Sequence, residues 1–135
     1  MMKKKVKIVF GALLAIVIAV YFITTGIIKN IESNLEQLAD LTIANVDCSQ
    51  LSDGVYTGSY KVFPVAAEVE VTVANHTIVA IELVEHNHGR GKAAEIIPSQ
   101  VVAAQSLEVD AVSGATYSSK VILKAIENAL IGRNK

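Results

Sequence analysis

The stretch Asp110-Ala-Val-Ser-Gly-Ala-Thr-Tyr-Ser-Ser119 decides how the rest of the chain is interpreted. It places one glycine and four serine or threonine hydroxyls directly before an amphipathic C-terminal segment. Gly114 can adopt backbone angles that other residues avoid, and the free N–H groups at a helix start attract anions. The stretch therefore predicts a turn into a helix that binds a phosphate group. The alternative is that its hydroxyls only cap the helix.

The residues after this stretch have the spacing of a helix with one buried face. The apolar positions are Val121, Ile122, Ala125, Ile126, Ala129 and Leu130. We expect the remaining side of the helix to face water, and it carries Lys120, Lys124, Glu127 and Asn128. Gly132 is expected to end the helix, because glycine favours the left-handed conformation found there.

Two segments in the middle of the chain have the alternation of β-strands. In Glu68–Val73 every second residue is valine, and Thr77–Glu85 follows after an Asn75-His76 turn. We expect three residues of the second strand to lie on the same face of the sheet, namely Val79, Ile81 and Leu83. The two segments predict a hairpin, so at least part of the sheet is antiparallel.

An earlier strand and a broken helical region complete the predicted domain. Val55–Phe63 is rich in β-branched and aromatic residues, and Gly58 within it indicates a bulge or a close approach by another group. Ala93–Gln105 is helical in composition, with Pro98 dividing it into a short piece on each side of Ile97. The prediction is an α+β fold in which helices pack a small, partly antiparallel sheet.

The N-terminal segment predicts one transmembrane helix. Residues 1–7 contain four lysines, and residues 8–28 form a run of 21 residues without a charge that ends at Lys29. A helix of that length spans about 30 Å, the thickness of a bilayer core. A cleavable signal peptide is the alternative, but the run is long for one and no small-residue cleavage site closes it. The lysines favour the cytoplasm, which places the rest of the chain outside the cytoplasm.

A helical stalk is expected between the anchor and the domain. Asn30–Asn45 has apolar residues at helical spacing, including Leu35 and Leu38. This apolar stripe could pack on the domain, continue the membrane helix or pair with another copy of the chain. The chain is thus divided into a basic end at 1–7, an anchor at 8–28, a stalk and linker at 29–52, and a domain at 53–135.

Charge and cysteine content limit the kinds of function. The chain beyond Lys29 has 7 basic and 13 acidic residues, a formal charge of −6. An acidic domain is a poor partner for nucleic acid, so we expect no nucleic-acid binding. Cys48 is alone, which rules out an internal disulfide and favours a half-buried apolar role.

The polar segment His86-Asn-His-Gly-Arg-Gly-Lys92 interrupts all periodicity and predicts a functional loop. Two histidines without a neighbouring cysteine or carboxylate set do not form a zinc signature, so we expect no metal site. The cations or histidines are instead expected to face an anionic or aromatic ligand, or water.

Three features together resemble the FMN-binding domain family: Asp53-Gly-Val-Tyr-Thr-Gly-Ser59, the valine-rich hairpin, and Asp110–Ser119. That family includes the flavin-carrying C subunit of the sodium-translocating NADH:quinone oxidoreductase and the G subunit of the related Rnf complex. The resemblance covers roughly Asp53 to Ile131, and the Ser-Gly-Ala-Thr core before a helix is its most specific part.

The resemblance implies that FMN is the cofactor and that Thr116 holds it. In many family members a flavin transferase moves FMN from FAD onto the threonine of this motif, which leaves a phosphodiester. Serines 118 and 119 are the fallback acceptors. The matching residues expected to shape or contact the cofactor site are Asp110, Ser113, Gly114, Ala115 and Ser118. Weaker candidates for contacts to the flavin are Tyr56, Tyr117 and the loop Gly89–Lys92.

The resemblance implies an electron carrier rather than a stand-alone enzyme. Its expected partners are the flavin transferase, membrane redox proteins such as a quinone reductase, and the lipid bilayer. Two other functions remain open: a module that binds FMN or another phosphate ligand reversibly, and a structural subunit of a membrane complex. No set of acid, base and nucleophile indicates substrate turnover.

Overall fold

The computed structural model describes residues 2–132, and Met1 and residues 133–135 lie outside the described residues. Met1 begins the predicted basic segment and residues 133–135 end the predicted domain, so those parts of the two predictions lie outside the described residues. The chain divides into two compact units, the first ending at Ser33 and the second beginning at Asn34. The predicted domain at 53–135 lies within the second unit, which also includes residues 34–52.

The first unit consists of the N-terminal part of helix α1, Met2–Ala39. Its apolar side chains from Val6 to Ile28 are largely exposed, and the helix is long and apolar enough to cross a membrane. The hydroxyls of Thr24 and Thr25 donate to backbone carbonyls one turn back, at 2.9 Å to Val20 and 3.0 Å to Tyr21. Such internal pairing suits a hydrocarbon environment, where no water is available. These features fit a single-pass anchor.

The predicted stalk is only partly helical. Helix α1 ends at Ala39 rather than Asn45, and residues 41–47 have no regular structure. The segment instead packs along the domain: Leu38 is almost fully buried, and the Asn45 Oδ1 atom accepts a hydrogen bond from the Leu107 N–H at 3.1 Å. The prediction of a helix to Asn45 was wrong because contacts with the domain outweigh a weak local helical pattern.

The second unit contains a three-stranded antiparallel sheet in the order β1-β2-β3. Its strands are β1, Gly54–Val62, β2, Val65–Ala74, and β3, Thr77–Asn87. Asn75 and His76 join β2 to β3 with φ of 52° and 61°, the paired positive values of a tight hairpin turn. The predicted hairpin and the α+β class are confirmed.

The predicted facing of one residue in β3, Val79, was wrong. The register shifts opposite Thr72 and Val73, so Val79 becomes an extra residue without a partner and is 50% exposed. Ile78 takes the buried position in its place. A strict alternation read from the sequence cannot detect this, because a β-bulge reverses the facing of every residue beyond it.

Three helical pieces follow the sheet. A 3-10 helix, Lys92–Ile96, leads into α2, Ile97–Ala104, and this break beside Pro98 agrees with the prediction. Helix α3, Thr116–Ile131, covers one face of the sheet and ends at Gly132, which has a φ of 68°. The valines of β2 and the apolar face of α3 form the core.

Two residues expected on the wet side of α3 are buried. Glu127 is 5% and Asn128 is 7% exposed. The Glu127 carboxylate accepts two hydrogen bonds of 2.8 Å from Lys124 and one from the Ala44 N–H at 3.3 Å, while the Asn128 amide donates to the Ser59 carbonyl at 2.8 Å. The prediction was wrong because the irregular segment before the sheet contacts the helix at Glu127 and strand β1 contacts it at Asn128.

Candidate functional site

The turn before α3 is fixed by a buried hydroxyl. Gly114 has a φ of 80°, a left-handed value that favours glycine. The Ser119 hydroxyl accepts from the Val112 N–H at 3.0 Å and donates to the Ala115 carbonyl at 2.8 Å, and Ser119 is 0% exposed. Its hydroxyl is therefore engaged in holding the turn, which argues against Ser119 as a covalent acceptor.

Thr116 is the first residue of α3 and does not cap it. The capping position is Ala115, which has no side chain that could accept a hydrogen bond from the helix. Thr116 is exposed, and its hydroxyl makes no hydrogen bond within residues 2–132. The alternative that Thr116 serves as the N-cap is therefore wrong. Its oxygen is free. The N–H groups of the first helical turn, which starts at Thr116, have no acceptor inside the helix.

A pocket of about 350 Å³ opens beside Thr116. Two segments meet at its wall, the turn Gly114–Ser118 and the loop His88–Gly91. A Cβ at Gly91 would lie 2.6 Å from the Cβ of Ser118, so only glycine allows the loop to pack this closely on α3. The remaining lining residues are Leu35, Pro64 and Val65.

The charges around Thr116 favour an anion. Arg90 lines the pocket, and Lys120 lies with Thr116 in a neighbouring one, where its ammonium group donates to the Ala39 carbonyl. The first turn of α3 contains no acidic residue, so the positive end of the helix is not neutralised. Lys120 was predicted only to face water, although a residue four positions after Thr116 lies on the same helix face.

Only some of the other predicted site residues line the pocket. Gly114, Ala115 and Ser118 line the pocket, whereas Asp110 and Ser113 are exposed and line neither of the two pockets at Thr116. Ser118 is 3% exposed, which argues against it as an acceptor.

The weaker candidates for contacts with the flavin likewise lie only partly at the pocket. Tyr117 and Arg90 line the pocket. Lys92 does not, and the Tyr56 hydroxyl donates to the Ser52 carbonyl at 2.8 Å, which indicates a structural role.

The segment predicted as a polar loop begins inside the sheet. His86 belongs to β3, and its side chain is only 3% exposed. Its Nδ1 atom lies 3.3 Å from the Glu95 carboxylate, and His88 Nε2 lies 3.8 Å from the same oxygen. Burial lowers the pKa of His86, although the hydrogen bond to Glu95 partly opposes this effect. The carboxylate comes from the 3-10 helix, nine positions after His86, and no local periodicity indicates a contact over that spacing.

A larger open cleft of about 600 Å³ is less suited to a phosphate ligand. Its polar groups already have backbone partners: the Asp47 carboxylate accepts from the Ser49 N–H at 2.9 Å, and His76 Nδ1 lies 3.1 Å from the Leu51 carbonyl. Neither lysine nor arginine lines it. The smaller pocket at Thr116 therefore remains the better candidate.

Comparison with known proteins gives a family and one relative. The model of the FMN-binding domain family matches residues 65–131, from the start of β2 to the end of α3. An uncharacterised protein of Treponema pallidum (strain Nichols) is 33% identical over 85 residues, which cover 61% of this chain and 24% of that protein. The chain thus spans about a quarter of the length of this curated relative. No solved structure matches the chain. Residues 65–131 therefore belong to the FMN-binding domain family, and FMN is the cofactor of this domain.

Proposed function

We propose that this protein is a membrane-anchored flavoprotein that carries FMN on Thr116 through a phosphodiester bond and transfers electrons outside the cytoplasm. The observation that carries the proposal is the free hydroxyl of Thr116 at the uncapped start of α3, beside a pocket. The family match supports FMN as the cofactor. The covalent bond, the redox role and the orientation are our inferences.

The residues around Thr116 fit the phosphate of FMN. A phosphodiester keeps one negative charge, which the N–H groups at the start of α3 and the cations Arg90 and Lys120 would stabilise. No atom of the described residues lies within 4 Å of the place that a Cβ would occupy at Gly114, so a group bonded to Thr116 has room on that side. These features would orient the phosphate and leave Tyr117, which is 39% exposed, for contacts with other parts of the cofactor.

Attachment would be a phosphoryl-group transfer without a change in oxidation state. The Thr116 Oγ1 atom forms a bond to the FMN phosphorus of FAD, while the bond between that phosphorus and the pyrophosphate bridging oxygen breaks. AMP leaves with the bridging oxygen, and the hydroxyl proton passes to solvent or to a base of the transferase. An exposed hydroxyl is required, because the transferase must reach it, and Thr116 meets that requirement.

The protein's own contribution to electron transfer would be to hold and position the cofactor. Bound FMN supplies one- and two-electron chemistry, whereas the protein supplies orientation and electrostatics. The chain has one cysteine, too few to ligate an iron–sulfur cluster by itself, so donor and acceptor would be partner proteins or quinones. Helix α1 would keep the domain near such membrane partners.

Intact-mass measurement tests the covalent bond. The full chain coexpressed with a flavin transferase should gain the mass of one FMN less one water, and Thr116→Val should remove the gain. Thr57→Val, at an exposed position in β1, is the matched control and should retain it. A gain that survives Thr116→Val would refute the assignment. A yellow protein that loses its colour on denaturation and filtration would indicate reversible binding, and one without flavin would indicate a structural role.

Membrane vesicles test the redox role. The flavin absorbance of the loaded protein should bleach when NADH is supplied to vesicles that contain a quinone-linked dehydrogenase, and it should recover on reoxidation. Bleaching by dithionite alone, with no response to any membrane donor, would contradict electron transfer. Protease added to intact spheroplasts tests orientation and should digest the domain from outside.

A further inference from the structure

Three side chains with metal-binding atoms converge next to the pocket. His86 and His88 come from the end of β3 and the residues after it, and Glu95 comes from the 3-10 helix. The ligand atoms of the three residues all lie within 4.8 Å of one another. We call these residues the His-His-Glu cluster. It is separate from Thr116, although His88 also lines the pocket.

The spacing of the cluster is close to that of a tetrahedral ion site. Zinc binds imidazole nitrogen and carboxylate oxygen at about 2.1 Å, which places two tetrahedral ligands about 3.4 Å apart. In this protein His86 Nδ1 is 3.3 Å and His88 Nε2 is 3.8 Å from the same Glu95 oxygen. The two imidazole rings also lie side by side, with centroids 4.7 Å apart. Small side-chain rotations would therefore complete the geometry.

The fold brings the cluster together before any ion binds. The Gly91 N–H donates to the His88 carbonyl at 2.8 Å, and Gly89 adopts a φ of 54°, so a tight turn carries the chain from β3 into the 3-10 helix. The Ala94 N–H in turn donates to the Gly91 carbonyl at 2.9 Å. Glu95 thus returns to the histidines through a short, hydrogen-bonded segment.

His86 is the buried member of the cluster. Its side chain is 3% exposed, and its Nε2 atom has no hydrogen-bond partner among the residues that the structure describes. Buried polar atoms are nearly always paired, so this nitrogen is an exception within the fold. An ion at Nδ1 would fix the proton on Nε2 without pairing it, so the case for a site rests on the convergence of the three ligand atoms.

We propose that His86, His88 and Glu95 bind one divalent transition-metal ion of the zinc class, with a fourth position left open. Two imidazoles and one carboxylate favour this class over magnesium and calcium, which prefer sites made of oxygen. The ion would link β3 to the 3-10 helix and so fix the loop His88–Gly91, which forms one wall of the pocket at Thr116.

The test uses the full chain in detergent after removal of metals, in a Cys48→Ser background that removes the one thiol. Titration with Co²⁺ should give one equivalent of binding with the strong visible absorption of a tetrahedral site, and Zn²⁺ should displace it. His88→Gln and Glu95→Gln alter partly exposed side chains and should each weaken binding by at least about tenfold, because loss of an outer-shell partner alone costs that much. His76→Gln and Glu70→Gln, outside the cluster, are the matched controls.

A second readout reports the effect on the loop. Trypsin cleaves after Arg90, and Zn²⁺ should slow that cleavage in the parent chain and in His76→Gln, but not in Glu95→Gln. The proposal is overturned if the parent chain binds neither ion, if it binds only Mg²⁺ or Ca²⁺, or if both cluster variants bind with unchanged affinity. Neither measurement requires flavin, so the result is independent of the assignment of Thr116.

Discussion

A Cβ at Gly58 would lie 2.7 Å from the Cα of Ala129, because β1 runs directly against the backbone of α3 at this point. The close approach expected for Gly58 is therefore confirmed. Gly58→Ala should destabilise the domain by about 2 kcal/mol or more, since overpacking against backbone atoms cannot be relieved by rotating a side chain. Thermal unfolding followed by tyrosine fluorescence would measure the loss.

Gly54→Ala is the control for this substitution. Gly54 lies in the same strand and would meet nothing within 4 Å, so its replacement should leave the melting temperature nearly unchanged. Equal melting temperatures for the two variants would show that β1 and α3 can separate without cost.

Gln105 attaches α2 to the edge strand. Its side-chain oxygen accepts from the Ile78 N–H at 2.9 Å, and its amide donates to the carbonyls of Ile78 and Val102, both at 2.7 Å. Gln105→Ala should cost about 1–2 kcal/mol, because it leaves the backbone of buried Ile78 without a partner. Denaturant unfolding would measure it. Gln100→Ala, in α2, is the control, and an equal effect of both variants would contradict a specific role for Gln105.

Like charges face each other on the exposed side of the sheet. Glu70 pairs with Glu82, and Glu68 pairs with Glu85, in adjacent strands. Glu82→Lys should stabilise the domain by about 0.2–1 kcal/mol, because it replaces a repulsive cross-strand pair with an attractive one. Thermal unfolding at low and high salt would test this, since added salt should shrink the gain. Glu82→Gln should give a smaller gain, and a lower melting temperature for the lysine variant would refute the argument.

Cys48 should react slowly with alkylating agents. Burial raises the pKa of its thiol, and the charge of the adjacent Asp47 raises it further. A raised pKa means less thiolate at a given pH, so the rate of iodoacetamide labelling should rise with pH at values above those for a free cysteine. Asp47→Asn should move the midpoint of that rise downward by removing the smaller cause. Asp40→Asn is the control, and a midpoint at or below that of free cysteine would contradict the prediction.

The elements that were predicted correctly from the sequence are those whose pattern depends on neighbouring residues. The alternation in Glu68–Val73, the Asn75-His76 turn and the apolar periodicity of α3 each depend on neighbouring residues, and all three are confirmed. The turn before α3 was also predicted, because a glycine before a helix indicates unusual backbone angles, and Gly114 has a φ of 80°.

The remaining features depend on contacts between distant parts of the chain. Glu127 and Asn128 are polar and lie on the expected wet side of α3, yet their partners are Ala44 and Ser59, far away in sequence. The bulge at Val79 and the approach of Glu95 to His86 likewise require the sheet register and a turn. Periodicity within one segment contains no information about such partners.

The Ser119 hydroxyl bonds described above exist only when the C-terminal helix has formed. An unfolded or newly made chain would therefore present Thr116 on a turn of undefined shape. If Thr116 carries the flavin as proposed and a flavin transferase recognises the folded turn, cofactor attachment follows folding, and misfolded chains stay colourless. The flavin content of a purified preparation would then measure the fraction of molecules that had reached the native state, which can be checked by comparing it with the fraction that unfolds cooperatively.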